Sequence, residues 1–232
     1  MGGYLKYKPT VVFFALFLLI YMYACGSSPA EKFEKYMESG RKHLSEAMPL
    51  EAEIEFKNAL QIDPDSPEGL YFLALAYMRS GGASNAVKAY KELSRAVELK
   101  PGYTEARLKL GELYLASKEF TRAAEMASQV LKTEPGRTEA RLIYAAALAG
   151  RKEYEKAIEM IEEVLRTKPG SVRPYLVGAS VYASSGELLK AEETLRKTLS
   201  IDPTDAAPTF AEMAKGTLPD DPTITGTHGI SG

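Results

Sequence analysis

Cysteine and histidine side chains often act as nucleophiles, bases or metal ligands. This 232-residue chain contains three of them: Cys25, His43 and His228. A single cysteine cannot form an internal disulfide, and no Cys/His spacing matches a zinc site. The sequence also has no G-x-S-x-G, P-loop, Rossmann glycine or H-E-x-x-H motif. We therefore expect no enzyme, no catalytic residue, no metal, no cofactor and no small-molecule substrate.

The composition is that of an ordinary globular chain, with 45% apolar and 26% charged residues. The formal net charge is −2 at pH 7. Proteins that bind phosphate backbones usually carry a clear basic excess. We therefore expect no nucleic-acid partner.

The chemistry open to Cys25 depends on the segment before it. Residues 1–10 contain Lys6 and Lys8 and no acid, and fourteen apolar or aromatic residues follow from Val11 to Ala24. A membrane-spanning helix needs about 20 apolar residues, whereas the core of an export signal needs roughly 7–15. The length therefore favours a signal peptide over residues 1–24, with its positive end kept in the cytoplasm.

The residues "MYAC" followed by Gly26 resemble the lipobox of bacterial lipoproteins. In that family the cysteine thiol is linked to diacylglycerol, the peptide is cut before the cysteine, and the new amino group is acylated. Ala24 matches the small residue required before the cut, whereas Met22 and Tyr23 differ from the usual Leu and small residue. Lipidation of Cys25 is the favoured interpretation, because two or more acyl chains anchor a protein stably. An uncleaved apolar anchor and an incidental cysteine are the alternatives.

The resemblance to lipoproteins also implies a location. Gly26, rather than Asp, follows the cysteine, which in bacteria with two membranes implies a lipid anchor in the outer membrane, facing the periplasm. Residues 25–30 would then be the lipidated cysteine and a short linker.

Beyond residue 30 the sequence repeats. Five prolines are spaced 37, 34, 34 and 34 residues apart: Pro64, Pro101, Pro135, Pro169 and Pro203. A small residue recurs in phase with them, at Gly40, Ala74, Gly111, Ala145 and Ala179. Twelve residues after each small residue stands an alanine: Ala52, Ala86, Ala123, Ala157 and Ala191.

This phase predicts two amphipathic helices in each unit. The small residue on the first helix and the alanine on the second allow the two helix axes to approach closely. The proline ends the second helix, because it lacks an N–H donor and disfavours helical geometry in the residue before it.

The pattern resembles the tetratricopeptide repeat, whose signature is W-x₂-L-G-x₂-Y, then A-x₃-F, then P. The third unit matches it at Leu110, Gly111, Tyr114, Ala123 and Pro135, although no unit has the tryptophan. The resemblance implies an all-α fold, a right-handed α-solenoid of five helix pairs over residues 31–205. The predicted repeats are approximately 33–66, 67–103, 104–137, 138–171 and 172–205.

The second unit has three extra residues, which allow two placements. Ala86 and Tyr90 lie at the helix crossing if the second helix is lengthened by nearly a turn. Ala89, Leu93 and Ala96 lie there if the extra residues, near "SGGASN", belong to the turn. We favour the turn, because Gly81 and Gly82 break helices and loops absorb insertions easily.

The C-terminal residues have two predicted roles. Residues 206–215, "AAPTFAEMAK", predict a short helix that caps the last apolar face of the array. Residues 216–232 are rich in Gly, Pro and Thr, which predicts a disordered tail.

By resemblance to the family, the first helices line a concave groove that holds a protein partner. The expected groove residues are Tyr71, Leu75, Met78, Leu108, Glu112, Leu115, Leu142, Ala146 and Leu176. This mostly apolar row predicts a groove for a helix or an extended segment of the partner. The alternative is that neighbouring helices and the cap bury the row as core. Because Asn is absent from its usual positions, we expect no clamp for a terminal carboxylate.

Four acids recur near the start of the first helices: Glu34, Glu68, Glu105 and Glu139. One interpretation is stabilisation of the positive helix end, worth about 0.3–1 kcal/mol each. The other is an acidic rim that attracts a basic partner. Arg173 interrupts the row in the fifth unit.

The sequence therefore predicts a noncatalytic, membrane-anchored adaptor that mediates protein–protein interactions in the bacterial envelope. By resemblance to other repeat lipoproteins, it would serve outer-membrane protein assembly, pilus assembly or exopolysaccharide export. The alternatives are a structural homo-oligomer and a regulator that docks cell-wall enzymes.

Overall fold

The computed structural model describes residues 28–201, and every regular element in that range is an α-helix. The ten helices of this range are α1 Pro29–Ser45, α2 Pro49–Ile62, α3 Pro67–Ser80, α4 Ala83–Leu99, α5 Thr104–Ala116, α6 Phe120–Thr133, α7 Thr138–Gly150, α8 Tyr154–Thr167, α9 Val172–Ser185 and α10 Leu188–Ile201.

The helices pack in chain order as five pairs, α1–α2, α3–α4, α5–α6, α7–α8 and α9–α10. Each pair also packs on the first helix of the next pair. In addition, the first helices α5 and α7, and α7 and α9, contact each other directly. The predicted α-solenoid of five helix pairs is therefore confirmed.

The small residues lie where the paired helices cross. Ala52, Ala123, Ala157 and Ala191 of the second helices all have no exposed surface. At Gly40 of α1, an added Cβ would lie 2.5 Å from Cε1 of Phe56 on α2. A larger side chain would force the helices apart, so the repeat phase taken from the sequence is correct at these four units.

The prolines end the second helices in the predicted way. The residue before each of the first four prolines is the C-cap of its helix: Asp63, Lys100, Glu134 and Lys168. All four have φ between −127° and −131°, outside the helical region. This is the restriction that a following proline imposes on its predecessor.

The register favoured for the second unit is confirmed, because Ala89, Leu93 and Ala96 have no exposed surface, but the placement of the three extra residues in the turn is wrong. The turn contains only Gly81 and Gly82, with φ of 68° and 84°, and α4 has 17 residues where α2 has 14. The extra residues lengthen α4 at its N-terminal end. Ala89, and not Ala86, therefore lies buried at the crossing.

A physical reason for this lengthening is visible in the added turn of α4. The helix continues to Ala83 because Ala86 N–H donates to Gly82 O at 3.0 Å and Asn85 Nδ2 donates to Gly81 O at 3.0 Å. The added turn projects beyond the core, leaving Val87 70% exposed. An insertion there disturbs no packing.

The first helix begins earlier than residue 31. Ser28 caps α1: its hydroxyl accepts from Glu31 N–H at 3.2 Å, and Glu31 Oε2 accepts from Ser28 N–H at 2.8 Å. This capping box satisfies two backbone donors and makes Pro29 the first helical residue. The predicted linker over residues 25–30 is therefore shorter, because Pro29 and Ala30 belong to α1.

Several predictions fall outside residues 28–201. They are the signal peptide over 1–24, the lipidation of Cys25, the capping helix over 206–215 and the tail over 216–232. Within the described residues, no helix combines the length and the apolarity needed to cross a bilayer.

Candidate partner-binding surface

The predicted groove residues divide into two groups. Leu108, Leu115, Leu142 and Leu176 are buried, with exposed fractions of 5%, 3%, 2% and 7%, and they belong to the hydrophobic core. The expectation that these leucines line an open groove is therefore corrected. Their side chains fit the alternative, in which they pack as core.

The second group remains accessible at the inner surface of the array. Tyr71, Leu75 and Met78 of α3 and Ala146 of α7 are half-buried. The three residues of α3 are spaced by four and three positions, which places them on one face of the helix. No observation tests whether a partner binds them, so their binding role stays a prediction.

Aromatic rings surround Tyr71. Its ring centroid lies 5.2 Å from that of Phe72 and 5.2 Å from that of Tyr103, which lies in the turn before α5. The Arg41 guanidinium carbon lies 5.6 Å from the Phe72 ring centroid. Aromatic and cation–π contacts of this kind hold ring planes in fixed orientations. The inner surface of the first two units is therefore preorganised.

The hydroxyl groups of this cluster stay protonated at neutral pH. Burial, helped by Glu105 and Glu112, raises the pKa of Tyr71. Burial also raises the pKa of Tyr103, with Tyr71 and Glu68 adding to the effect. Both phenols can therefore donate hydrogen bonds to acceptors of a partner.

The row of four acids is paired with arginines. Arg41 contacts Glu68 at 3.0 Å and Glu34 at 3.9 Å. Arg137 contacts Glu139 at 2.9 Å and Glu105 at 3.9 Å. The carboxylates therefore join neighbouring units, and their pairing weakens the interpretation of the row as an acidic rim for a basic partner.

Glu112, which was expected to face the groove, is a buried carboxylate with an exposed fraction of 6%. Its Oε2 accepts from Lys109 Nζ at 2.7 Å, and its Oε1 accepts from Arg173 Nη2 at 2.6 Å. Burial by itself raises the pKa of Glu112, but the two cations outweigh burial and hold that pKa below its usual value. The carboxylate is therefore charged at neutral pH.

Sequence reasoning missed Tyr103, Arg137 and Arg173. For Arg173 one signal existed, because it interrupts the acidic row in the fifth unit. Its partner Glu112 lies 61 residues earlier, a separation that no repeat-based spacing predicts. Within residues 28–201, no cluster of three or more His, Cys, Asp or Glu residues could hold a metal ion.

Comparisons with known proteins agree with this architecture. The family model for the tetratricopeptide repeat matches residues 82–147 and 116–176. Among curated proteins, DnaJ homolog subfamily C member 3 of Rattus norvegicus is 32% identical over 92 residues, and that of Bos taurus is 31% identical. The match covers 40% of this chain but only 18% of either relative, so the chain spans less than a fifth of their length.

Solved structures share the fold at low sequence identity. A tetratricopeptide repeat protein from Parabacteroides merdae has a TM-score of 0.69 at 18% identity, covering 80% of this chain and 73% of its own. MamA from Desulfovibrio magneticus has a TM-score of 0.63 at 19% identity, covering 75% of this chain and 97% of its own.

These findings define first a class of protein, an α-solenoid of stacked helix pairs whose first helices form an inner surface. The family follows from the matched residues and the repeated geometry: residues 82–176 match tetratricopeptide repeats, and the described residues 28–201 have the fold of such repeats. Members of this family are protein-interaction modules that typically have no catalytic activity of their own. The chain is thus suited to act as a scaffold for protein–protein interactions.

Proposed function

We propose that the protein is a membrane-anchored adaptor lipoprotein of the bacterial envelope that holds another protein on its inner surface. The observation that carries the proposal is the start of the repeat array, because α1 begins four residues after the lipobox-like cysteine. A lipid on Cys25 would hold a folded interaction module this close to the membrane.

The short tether fixes where the adaptor acts. Gly26, Ser27 and Ser28 separate Cys25 from the first residue of α1. At about 3.3–3.6 Å per residue, the helix starts within roughly 15 Å of the acylated residue. The adaptor therefore works at the membrane surface. The outer membrane, facing the periplasm, is the location we propose.

The surface we propose for the partner is centred on α3. Tyr71, Leu75 and Met78 offer apolar area, and the Tyr71 and Tyr103 hydroxyls can fix the orientation of a bound chain. A helix or an extended segment with apolar side chains fits such a surface. The proposed context is assembly of outer-membrane proteins or pili, or exopolysaccharide export.

The anchoring is tested by Cys25→Ser in the native host. The variant should accumulate as an unprocessed precursor or leave the membrane fraction, whereas Ser27→Ala, a control in the same linker, should stay anchored. Intact mass of the wild type should show acyl chains on a chain that begins at Cys25. Normal membrane anchoring and a normal mature mass of the Cys25→Ser variant would refute the lipid anchor.

The binding surface is tested by crosslinking in intact cells. A neighbour that is reproducibly crosslinked to the wild type should be lost with the double variant Tyr71→Ala/Met78→Ala. The control Leu189→Ala changes a side chain that is 84% exposed on α10, far from α3, and should retain the neighbour. Equal recovery from both variants would move the binding surface elsewhere.

A further inference from the structure

The ion pair between Arg173 and Glu112 differs from the ion pairs of Arg41 and Arg137, which join neighbouring units. Glu112 lies on α5 in the third unit, and Arg173 lies on the first turn of α9 in the fifth unit. Helix α7 of the fourth unit lies between them and contacts both α5 and α9. The ion pair therefore crosses a whole unit.

Helix α7 has a small side chain at the repeat position that corresponds to Glu112. Ala146 is the residue of α7 that lies 34 positions, one repeat, after Glu112. Ala146 is half-buried, so part of its surface is covered by neighbouring side chains. The corresponding residue of α3 is Leu75, whose larger side chain would obstruct an arginine reaching across.

Glu112 and Arg173 differ in how deeply they are buried. Glu112 is buried and charged, and Lys109 on the same helix holds its second oxygen at 2.7 Å. Arg173 has 40% of its side chain exposed, so water can reach its guanidinium group. A buried carboxylate depends strongly on its cations, whereas the half-exposed arginine can leave at lower cost. Opening would therefore proceed by movement of Arg173.

We propose that Arg173 and Glu112 form a latch across the inner surface of units three to five. The latch fixes the separation of α5 from α9 and covers α7 at Ala146. A chain entering this half of the inner surface must first displace Arg173. The latch concerns the folded array alone, so it stands or falls independently of the lipid anchor and of the partner proposed above.

Thiol accessibility under the latch provides the first test. In the full chain carrying Cys25→Ser, Ala146→Cys introduces the only thiol, and its reaction rate with a maleimide is measured. Adding Arg173→Gln should raise the rate by at least about fivefold, because local opening controls access. Arg173→Lys keeps the positive charge and should raise it less. A rate unchanged by Arg173→Gln would overturn the proposal.

A matched control is available in the fourth unit. Arg141 of α7 contacts Glu163 of α8 at 2.7 Å, an ion pair of similar length that stays within one unit. Glu163→Gln should leave the Ala146→Cys rate unchanged. Equal acceleration by Glu163→Gln and Arg173→Gln would show general loosening and would also overturn the latch.

The separation of the units provides the second test. Spin labels at Thr121→Cys and Leu189→Cys occupy exposed, repeat-equivalent positions on α6 and α10, again with Cys25→Ser. Arg173→Gln should lengthen or broaden the measured distance distribution by about 3 Å or more, as expected when a fixed arrangement of packed elements is released. An unchanged distribution in a variant whose helicity is normal would contradict the latch.

The two latch residues should also act as a unit. Glu112→Gln/Arg173→Gln should change the label distance no more than either single variant, because each single change already removes the contact. Additive effects would mean that the two residues act separately. If Glu112→Gln fails to fold, the Arg173→Gln measurements alone decide the outcome, since Arg173 is half-exposed.

Discussion

The inner surface of the array differs between its two halves. In units one and two, the inner side chains that remain accessible are large: Arg41, Tyr71, Leu75 and Met78. In units four and five, the residues at the corresponding helix positions are small, Ala146, Ser180 and Ala183, and Arg173 is the large side chain that lies beside them. The same repeat thus presents an aromatic, apolar surface at one end and a row of small side chains beside a single arginine at the other.

The approach of the first helices follows this difference in side-chain size. A Cβ added at Gly111 of α5 would lie 3.2 Å from Cγ2 of Ile143 on α7, so these two helices are already close. Small residues allow such an approach, and larger ones hold helix axes apart. The comparison teaches that the accessibility of the inner surface varies from repeat to repeat with the volume of a few inner residues.

The largest expected effect on stability comes from placing charges at the buried leucines among the predicted groove residues. Leu108→Glu with Leu142→Glu places two carboxylates in the core without cations. Each buried, unpaired charge costs several kcal/mol. The cost of the two charges together approaches the whole free energy of unfolding of a domain. Circular dichroism should show loss of cooperative unfolding.

The matched control for the leucine pair is Leu50→Glu, because Leu50 is a leucine that is 64% exposed on α2. It should leave the unfolding curve within about 0.5 kcal/mol of the wild type. A double variant that folds normally and loses only partner capture would restore the leucines to the groove.

Overpacking at a helix crossing should have the next largest effect. Ala157 of α8 has no exposed surface, so Ala157→Leu should destabilise the array by about 1–3 kcal/mol in urea unfolding. Ala86→Leu is the control, because Ala86 lies on the exposed added turn of α4 and should be nearly neutral. Similar destabilisation by both changes would mean that the register of the second unit is misassigned.

The buried carboxylate of Glu112 predicts a pH dependence of the stability of the array. Because the pKa of Glu112 is lower in the folded than in the unfolded chain, its charge stabilises the fold above the unfolded value of about 4.3. That stabilisation is lost as the pH falls through the lower, folded value. The stabilities of wild type and Glu112→Gln in urea unfolding should therefore converge as the pH falls through the lowered, folded pKa of Glu112. A stability difference that does not shrink as the pH falls below the unfolded value would contradict the pairing.

Much of the fold could be predicted from the sequence, because it depends on local and periodic features. Three features act within one unit: the prolines, the alanines at the helix crossings and the three- and four-residue apolar spacing. Each of them therefore predicts the same local structure in every unit. The helix extension at Ala83 could not be predicted in the same way. Burial of Ala89 is compatible with a long turn and with a longer helix, and the hydrogen bonds of Ala86 and Asn85 to the carbonyls of the two glycines favour the helix.

The candidate site was harder to predict, because it depends on contacts between units. Whether Leu108 faces solvent or core depends on how closely α5 and α7 approach, and this varies along the array. Arg173 and Glu112 lie 61 residues apart and meet only through the packing of three successive units. Neither residue carries a local signature of that contact.

The smallest expected effect on stability concerns the inner surface of units one and two. Glu68→Gln removes the 3.0 Å contact with Arg41, whose side chain is 37% exposed. Exposed ion pairs contribute about 0.2–1 kcal/mol, so the unfolding midpoint should shift only slightly. Because the same arginine stacks on Phe72, the inner surface near Tyr71 should loosen before the fold does.

Hydrogen exchange of α3 should therefore increase in Glu68→Gln and stay normal in Glu51→Gln, an exposed change on α2. Unchanged exchange in both variants would mean that Phe72 and Tyr103 alone fix the binding surface.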